Sequence, residues 1–282
     1  MNRTPVARNF YSGDVRAQME AFRKAFLPPE GLPERIVSGV VPHAGWFFSG
    51  ATASKVYLSI KEKESPRTFV LFGAVHVHGV RSNSVYPAGT WETPLGPVEV
   101  DSELSRLLTA ELDELLEDNA GAHVYEHSIE VQLPMIKHLF PDAKVVPIAV
   151  PPSGDAASLG EAVGNILSAR AGEIVCIGST DLTHYGASYG YAPAGYGRKA
   201  LDWMRSNDGR IIRLALSMKA DEIVPEAARS MNACGPGAMA AAVAAAKAMG
   251  ASEGLLLEHT TSHDVYPEDE FEMAVGYAGI IF

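Results

Sequence analysis

The 282-residue sequence predicts an α/β fold, a single domain with a mostly parallel central sheet and helices on both faces. β-rich runs alternate with helical stretches of about ten to fifteen residues, the order typical of parallel sheets. Two of these runs, residues 68–75 and 173–178, are apolar almost without interruption, which is typical of strands covered on both faces. No repeat or Pro/Gly-rich linker divides the chain, so we predict one domain over residues 1–282.

Each predicted element follows from a local pattern. Strands are predicted over 35–42, 68–75, 144–150, 173–178, 255–260 and 272–282, where β-branched and other apolar residues cluster. Helices are predicted over 15–26, 51–61, 102–116, 128–140, 156–169, 194–218 and 237–249. Residues 82–100 are rich in Pro, Gly and Thr, which favours a hairpin or an ordered loop near a site.

Three of the predicted helices contain residues that should kink, break or end them. Pro134 lies inside the fourth, so that helix should be kinked or begin later than residue 128. The sixth should break near residues 207–209, where Asn, Asp and Gly follow one another. The last is rich in alanine, which allows close packing on a sheet, and Gly250 is placed to end it.

Composition and charge exclude several functions. Hydrophobic residues make up 47% and charged residues 20%, as in globular proteins. The net charge of −11 repels phosphate backbones, so nucleic acid is not expected as a ligand. No apolar run is long enough to span a bilayer, and residues 1–14 lack the apolar segment of a secretory signal, so we expect a cytoplasmic protein. Cytosolic thiols are usually reduced, and Cys176 should be a buried apolar residue.

Three histidines follow three predicted strands. His43 lies in the string PHAGW, His76 in GAVHVHG and His184 in STDLTHYG. Ligands of open α/β sheets bind beyond the carboxyl ends of the strands, and imidazole is the commonest transition-metal ligand. Three protein ligands also leave positions open for water, dioxygen or substrate. The spacing alone is explained equally well by a metal site and by three core or capping histidines.

The strings PHAGW, GAVHVHG, EHSIEVQLP, STDLTHYG and CGPGA, in this order, resemble the MEMO family, whose bacterial and archaeal members are also called AmmeMemoRadiSam system protein B. The leader NFYSGDVRAQME is also similar to that family, so the resemblance covers nearly the whole chain. The family is similar in fold to the class III extradiol dioxygenases of the LigB type, which hold non-haem Fe(II) at a sheet edge. The resemblance implies a LigB-dioxygenase-like fold and a bound metal, Fe(II) or alternatively Zn(II).

The resemblance also implies that His43, His76 and His184 bind the metal. The string GAVHVH stands where the family more usually has GPSHH, so His78 is the alternative to His76. We predict His76, because it keeps the family's distance from Gly73. Asp181, in the intact D-x-x-H string, is either a carboxylate that orients a ligand or meets substrate, or a helix cap.

Two further residues are candidates for the chemistry of the pocket. His127, in EHSIE, matches a pocket histidine of the dioxygenase-like superfamily and could shuttle protons, although it could instead help to start a helix. Cys234 precedes the alanine-rich helix, whose amino terminus should lower the pKa of the thiol, so we interpret Cys234 as a pocket residue with redox potential. Glu126 and Glu130 are interpreted as solvent-facing helix charges without a role.

These observations predict a non-haem metal-binding protein, an iron-dependent oxidoreductase related to extradiol dioxygenases, with an unknown substrate. Three neutral imidazoles leave more positive charge on the metal than two histidines and a carboxylate, which disfavours ring cleavage and would suit a zinc hydrolase. The alternative is a non-catalytic protein that binds a peptide or small molecule beside a structural or vestigial metal. The family name further implies radical-SAM and AMMECR1-type protein partners.

Overall fold

The structure, a computed structural model, describes residues 2–11 and 13–282. Within these residues the strands are β1 (Asn2–Arg3), β2 (Ser38–Val41), β3 (Thr68–Gly73), β4 (Ser84–Val85), β5 (Thr90–Trp91), β6 (Val98–Glu99), β7 (Glu117–Asp118), β8 (Lys144–Ala149), β9 (Ile174–Ser179), β10 (His184–Tyr185), β11 (Leu255–Thr261) and β12 (Ala274–Ile281). The α-helices are α1 (Val15–Ala25), α2 (Trp46–Lys63), α3 (Ser102–Glu111), α4 (Leu133–Leu139), α5 (Ala156–Leu167), α6 (Arg198–Leu216), α7 (Ala220–Ser230), α8 (Pro236–Ala248) and α9 (Ser262–Val265).

The central sheet is mixed, with a parallel middle. Its strand order is β10-β12-β2-β9-β3-β8-β4-β7, and β11 pairs with β12. The four strands β2, β9, β3 and β8 are parallel, whereas β12 runs antiparallel to β2 and β4 runs antiparallel to β8. The predicted α/β fold is confirmed, and its parallel part is the centre that carries the site. A separate three-stranded sheet joins β1, β5 and β6.

Helices cover both faces of the sheet, as predicted. Along β9, Ile174 and Cys176 belong to one apolar cluster, and Val175 and Ile177 belong to another on the opposite face. Helices α3, α5, α6, α7 and α8 contribute to the first cluster, and α1, α2 and α4 contribute to the second. A strand buried on both sides needs no polar alternation, which explains its unbroken apolar sequence. Burial raises the pKa of the Cys176 thiol to about 12.

The alanine-rich helix α8 packs unusually close to α5. A Cβ added at Gly160 would lie 2.1 Å from the carbonyl oxygen of Ala241, and one at Gly164 would lie 2.6 Å from that of Ala245. Small residues on both helices therefore let the two backbones touch. Helix α8 also packs closely on the sheet, as its alanine content predicts, since a Cβ added at Gly178 of β9 would lie 2.6 Å from the carbonyl oxygen of Ala238.

Several element boundaries differ from the predictions. Helix α6 is continuous, so the predicted break at residues 207–209 is wrong: Asn207 and Asp208 are buried and bind Thr183 with their side chains. Helix α7 has no predicted counterpart, and α2 begins at Trp46 rather than at residue 51. Helix α4 does begin late, with Pro134 in its first turn. In the described part of the chain, no helix is both long and apolar enough to cross a membrane.

Candidate metal centre

Adjacent parallel strands bring the predicted residues to one edge of the sheet. His43 follows the end of β2, His76 follows β3, and Asp181 follows β9, which pairs with both of those strands. The chain therefore passes the same edge three times within three neighbouring strands. A cavity of about 400 Å³ opens there, and His43, His76, His127, Asp181 and His184 all line it.

The imidazole rings of this cavity are close to one another. The ring centre of His43 lies 5.1 Å from that of His76 and 5.4 Å from that of His127. The rings of His76 and His127 are stacked, with centres 4.8 Å apart. The ring of His184 packs against Tyr189, with centres 5.0 Å apart.

Among the residues that the structure describes, two sets of donor atoms are close enough to share a metal. The first comprises His43, His76 and Cys234, and the second comprises His76, Glu126 and His127; within each, the donor atoms lie within 4.8 Å of one another. His184 lines the same cavity but is in neither set. The sequence placed His184 with His43 and His76, whereas the shortest distances place Cys234 with them.

Each predicted histidine ligand has its Nδ1 held by a neighbouring group. The Nδ1 of His76 lies 3.0 Å from the Glu126 carboxylate, and the Nδ1 of His184 lies 3.2 Å from the carbonyl oxygen of Leu182. Both of these partners can only accept, so both Nδ1 atoms carry a proton.

For His43 the partner is a hydroxyl. Its Nδ1 lies 3.0 Å from the Ser179 Oγ, whose own proton is donated to the carbonyl oxygen of Ser128. The hydroxyl is thus left as an acceptor for the Nδ1 proton of His43. In all three histidines Nδ1 is bound by a protein acceptor, so a metal would be bound through Nε2, the atom that in His43 lies next to the Cys234 thiol.

Glu126 is buried at the centre of this arrangement, which corrects its interpretation as a solvent-facing charge. Its side chain is 1% exposed. The carboxylate accepts from the backbone N–H groups of His76, His127 and Ser128 as well as from the His76 ring. Burial alone would raise the pKa of Glu126, but the His76 ring and these N–H donors hold that pKa well below its usual range. Glu126 and Cys234 in turn overcome the effect of burial on His76 and raise its pKa to about 10.

Glu130 is also buried rather than solvent-facing. Its carboxylate forms an ion pair with Arg3 at 2.7 Å and accepts hydrogen bonds from the N–H groups of Val6 and Ala7 and from the hydroxyl of Tyr11. Glu130 therefore binds the amino-terminal part of the chain.

Asp181 and Cys234 both contact His43. The Asp181 Oδ1 accepts from the backbone N–H groups of His43 and Ala44, so Asp181 fixes the backbone that carries a predicted ligand. Burial raises the pKa of Asp181. The Cys234 Sγ lies 3.2 Å from the His43 Nε2 and accepts from the Asp181 N–H. Burial would raise the pKa of Cys234, but His43 and His76 lower it to about 7.

His127 begins no regular helix. It lies in the turn before a short 3₁₀ helix at Glu130–Gln132, and its ring contacts that of Phe10 at 4.9 Å. Burial lowers the pKa of His127. His76 and the alternative ligand His78 are both exposed, but His76 binds Glu126 and lines the cavity, whereas His78 does not line it.

Family and structural comparisons agree with this architecture. The family model described as Memo-like protein matches residues 3–281. The chain belongs to the Memo family. A MEMO1 family protein from Pyrococcus furiosus is 39% identical, covering 100% of this chain and 98% of the relative. One from Thermococcus kodakarensis is 40% identical, covering 98% of this chain and 97% of the relative.

The fold also matches a solved structure. The crystal structure of an uncharacterized protein from Escherichia coli K12 superposes with a TM-score of 0.56 at 14% identity, covering 88% of this chain and 100% of that one. That neighbour has a LigB-like fold, so the predicted fold family is confirmed.

Sequence reasoning missed Glu126 and the apolar walls of the cavity. The walls include Phe10, Phe48, Tyr189, Met273 and Tyr277, which come from four distant parts of the chain. For Glu126 a signal existed, since it directly precedes His127 in the string EHSIE. No such signal existed for the walls of the cavity, because the sequence does not distinguish aromatic residues that line a cavity from those that are exposed or packed in the core.

Proposed function

We propose that this Memo-family chain is a metal-dependent oxidoreductase in which His43, His76 and His184 hold Fe(II). Cys234 and His127 stand beside the metal position, and a small, largely apolar substrate binds in the adjoining cavity. One observation above all supports this function: the imidazoles of His43, His76 and His184 line one cavity with their Nδ1 atoms bound by protein acceptors, which leaves Nε2 as the nitrogen that would bind a metal, next to the Cys234 thiol in the case of His43.

The residues present fit a first-row transition metal. Metal-binding histidines usually donate their other ring N–H to a carboxylate, carbonyl or similar acceptor, which fixes the ring and makes the free nitrogen more basic. Glu126, Leu182 and Ser179 supply these acceptors here. Imidazole nitrogens suit iron and zinc alike, and a neighbouring thiolate is compatible with both. Hard cations such as Mg²⁺ or Ca²⁺ prefer an all-oxygen set, which this site does not offer.

The shape and lining of the cavity point to the class of substrate. Its volume of about 400 Å³ suits a small molecule, and Phe10, Phe48, Tyr189 and Tyr277 supply aromatic walls. Such walls stack on a planar ring and exclude water, which strengthens polar interactions inside the cavity. We therefore infer a small aromatic substrate with few polar groups.

The chain's own residues would bind this substrate and move its proton. Bound Fe(II) would supply Lewis acidity and one-electron redox chemistry. His127 lines the cavity, and burial lowers its pKa, so its imidazole is neutral near pH 7 and can accept a proton from a substrate hydroxyl. Asp181 would keep His43 in place through the backbone.

Zinc-dependent hydrolysis is the second candidate, and Cys234 favours it. The thiol's pKa of about 7 makes a substantial fraction thiolate near neutral pH, and thiolate is a preferred zinc ligand. Association with radical-SAM and AMMECR1-type proteins stays a prediction from the family resemblance.

A matched pair of variants tests the ligand set. In His43→Ala, bound metal should fall by at least tenfold, because a buried ligand is lost. In His78→Ala, which changes an exposed histidine in the loop after β3, bound metal should not change. Elemental analysis of protein reconstituted anaerobically with Fe(II) or Zn(II) gives the metal content. Equal metal content in the two variants would refute the assignment of His43.

Activity separates the candidate functions. The iron-loaded protein should consume dioxygen when a catechol or another simple phenol is added, and the His127→Gln variant should do so more slowly. Ester hydrolysis by the zinc form, without oxygen uptake by the iron form, would support the hydrolase. Metal-free protein that still binds phenols would instead support a non-catalytic binding protein.

A further inference from the structure

Arg3 does not line the cavity, but it is buried against the segment that supplies Glu126 and His127. Its side chain is 4% exposed. The guanidinium donates to the carbonyl oxygens of His123 and Glu126 and to the Glu130 carboxylate. One planar cation thus binds three acceptors on the segment 123–130.

Other residues of the amino-terminal segment, residues 2–11, also bind the segment 123–130 through Glu130. Glu130 accepts from the N–H groups of Val6 and Ala7 at 2.9 and 2.8 Å, and from the hydroxyl of Tyr11 at 3.1 Å. β1 adds Arg3 to the small sheet, where its guanidinium lies 4.0 Å from the ring centre of Trp91. The amino-terminal segment is therefore fixed at several points.

These contacts bear on the cavity in two ways. First, the turn held by Arg3 carries the Glu126 carboxylate, which binds the ring of His76. Second, the amino-terminal segment carries Phe10, whose ring lies 4.9 Å from that of His127 and whose carbonyl oxygen accepts from the N–H of Trp46. Phe10 forms one wall of the cavity.

We propose that Arg3 and Glu130 are positioning residues: their buried ion pair sets the turn that aims Glu126 at His76 and seats Phe10 against His127. The importance of the Glu126 position for metal binding rests on the function proposed above. The position itself does not, because it is defined by the hydrogen bond between His76 and Glu126 in the metal-free protein.

A spectroscopic measurement on the metal-free protein tests the geometric claim. In protein labelled with ¹⁵N-histidine, solvent exchange of the His76 Nδ1 proton reports on its hydrogen bond to Glu126. Arg3→Lys keeps the charge but cannot reach three acceptors with a planar fork, so exchange of this proton should become at least tenfold faster. Arg23→Lys is the control, because Arg23 is an exposed arginine paired with Glu20 on α1; it should leave the exchange unchanged.

Glu130→Gln is the second variant and removes the other charge of the pair. It should also accelerate exchange of the His76 proton, together with that of the Val6 and Ala7 amides, which would lose their charged acceptor. Thermal denaturation shows whether each variant is folded; if Glu130→Gln is unfolded, Arg3→Lys decides, and if Arg3→Lys is unfolded, Glu130→Gln decides. Unchanged His76 exchange in the folded variants would overturn the inference.

Cobalt(II) titration of the same proteins separates this inference from the proposed function. If the function is right, Arg3→Lys should bind Co(II) about tenfold more weakly than the wild type, because the Glu126 acceptor is misplaced. A wild type that binds no Co(II), with His76 exchange still accelerated in the variants, would refute the metal function and leave the positioning role intact.

Discussion

Replacing Glu126 by glutamine tests how much of the site depends on one buried carboxylate. Oε1 accepts from the His76 ring and from the N–H groups of His127 and Ser128, and Oε2 accepts from the N–H of His76. Glutamine has one oxygen and one amide nitrogen of nearly the same shape. Glu126→Gln therefore changes charge and hydrogen bonding with little change in volume.

The magnitude follows from these four contacts. If the amide oxygen takes the place of Oε1, the amide nitrogen faces the His76 N–H, and that buried donor loses its acceptor, at a cost of about 1–3 kcal/mol. The other three hydrogen bonds lose their charged acceptor and become roughly half as strong. Removal of the buried charge relieves its desolvation cost and offsets part of these losses, so we expect a net decrease of about 3 kcal/mol in the free energy of unfolding. A weaker partner for the His76 ring should also reduce metal affinity about 10- to 100-fold.

Two assays measure these effects. Urea denaturation of metal-free protein gives the stability change, and Co(II) titration gives the affinity. Glu20→Gln serves as the control, since Glu20 pairs with Arg23 on the surface of α1. Unaltered Co(II) affinity in a folded Glu126→Gln protein would refute the reasoning that Glu126 orients a ligand.

Two further predictions concern stability. Burial lowers the pKa of His123 to about 4 from an ordinary 6.5, so below pH 6.5 the unfolded chain binds a proton that the folded protein does not. Stability should therefore fall by about 3 kcal/mol between pH 6.5 and pH 4, and His123→Phe should lose this part of the pH dependence in urea titrations. Gly160→Ala should lower the free energy of unfolding by about 1–3 kcal/mol or more, because the new Cβ would meet the Ala241 carbonyl. Gly154→Ala should lower it little, because no atom lies within 4 Å of the new Cβ. Equal melting temperatures for the two glycine variants would contradict the packing argument.

The sheet and the edge that carries the candidate site could be predicted because both depend on local patterns. Apolar runs mark the strands 68–73 and 174–179, and a parallel order places their carboxyl ends together, with His76 and Asp181 just beyond. The position of these residues just after a predicted strand therefore identified them as candidates for one site. His127 was also found, through the string in which it occurs.

The buried carboxylates could not be predicted, because their partners are remote in sequence. Glu130 is paired with Arg3, which is 127 positions away, and a local pattern cannot distinguish that pairing from a helix charge in water. The same reason explains the break wrongly predicted in α6. Asn207 and Asp208 disfavour a helix locally, but their side chains bind Thr183 and the Ser230 carbonyl across the fold, and His259 binds the Asp208 carboxylate.

The charges around the cavity explain why one edge of an acidic protein should attract a cation. The Arg3 guanidinium pairs with Glu130, and Glu126 and Asp181 are buried close to the imidazoles. The negative charge of Glu126 and Cys234 raises the pKa of His76 to about 10 against the effect of burial, so the site favours a positive charge at that ring. A divalent metal in place of that proton would supply more positive charge at the same position. Its binding would therefore release a proton from His76 and strengthen as pH rises.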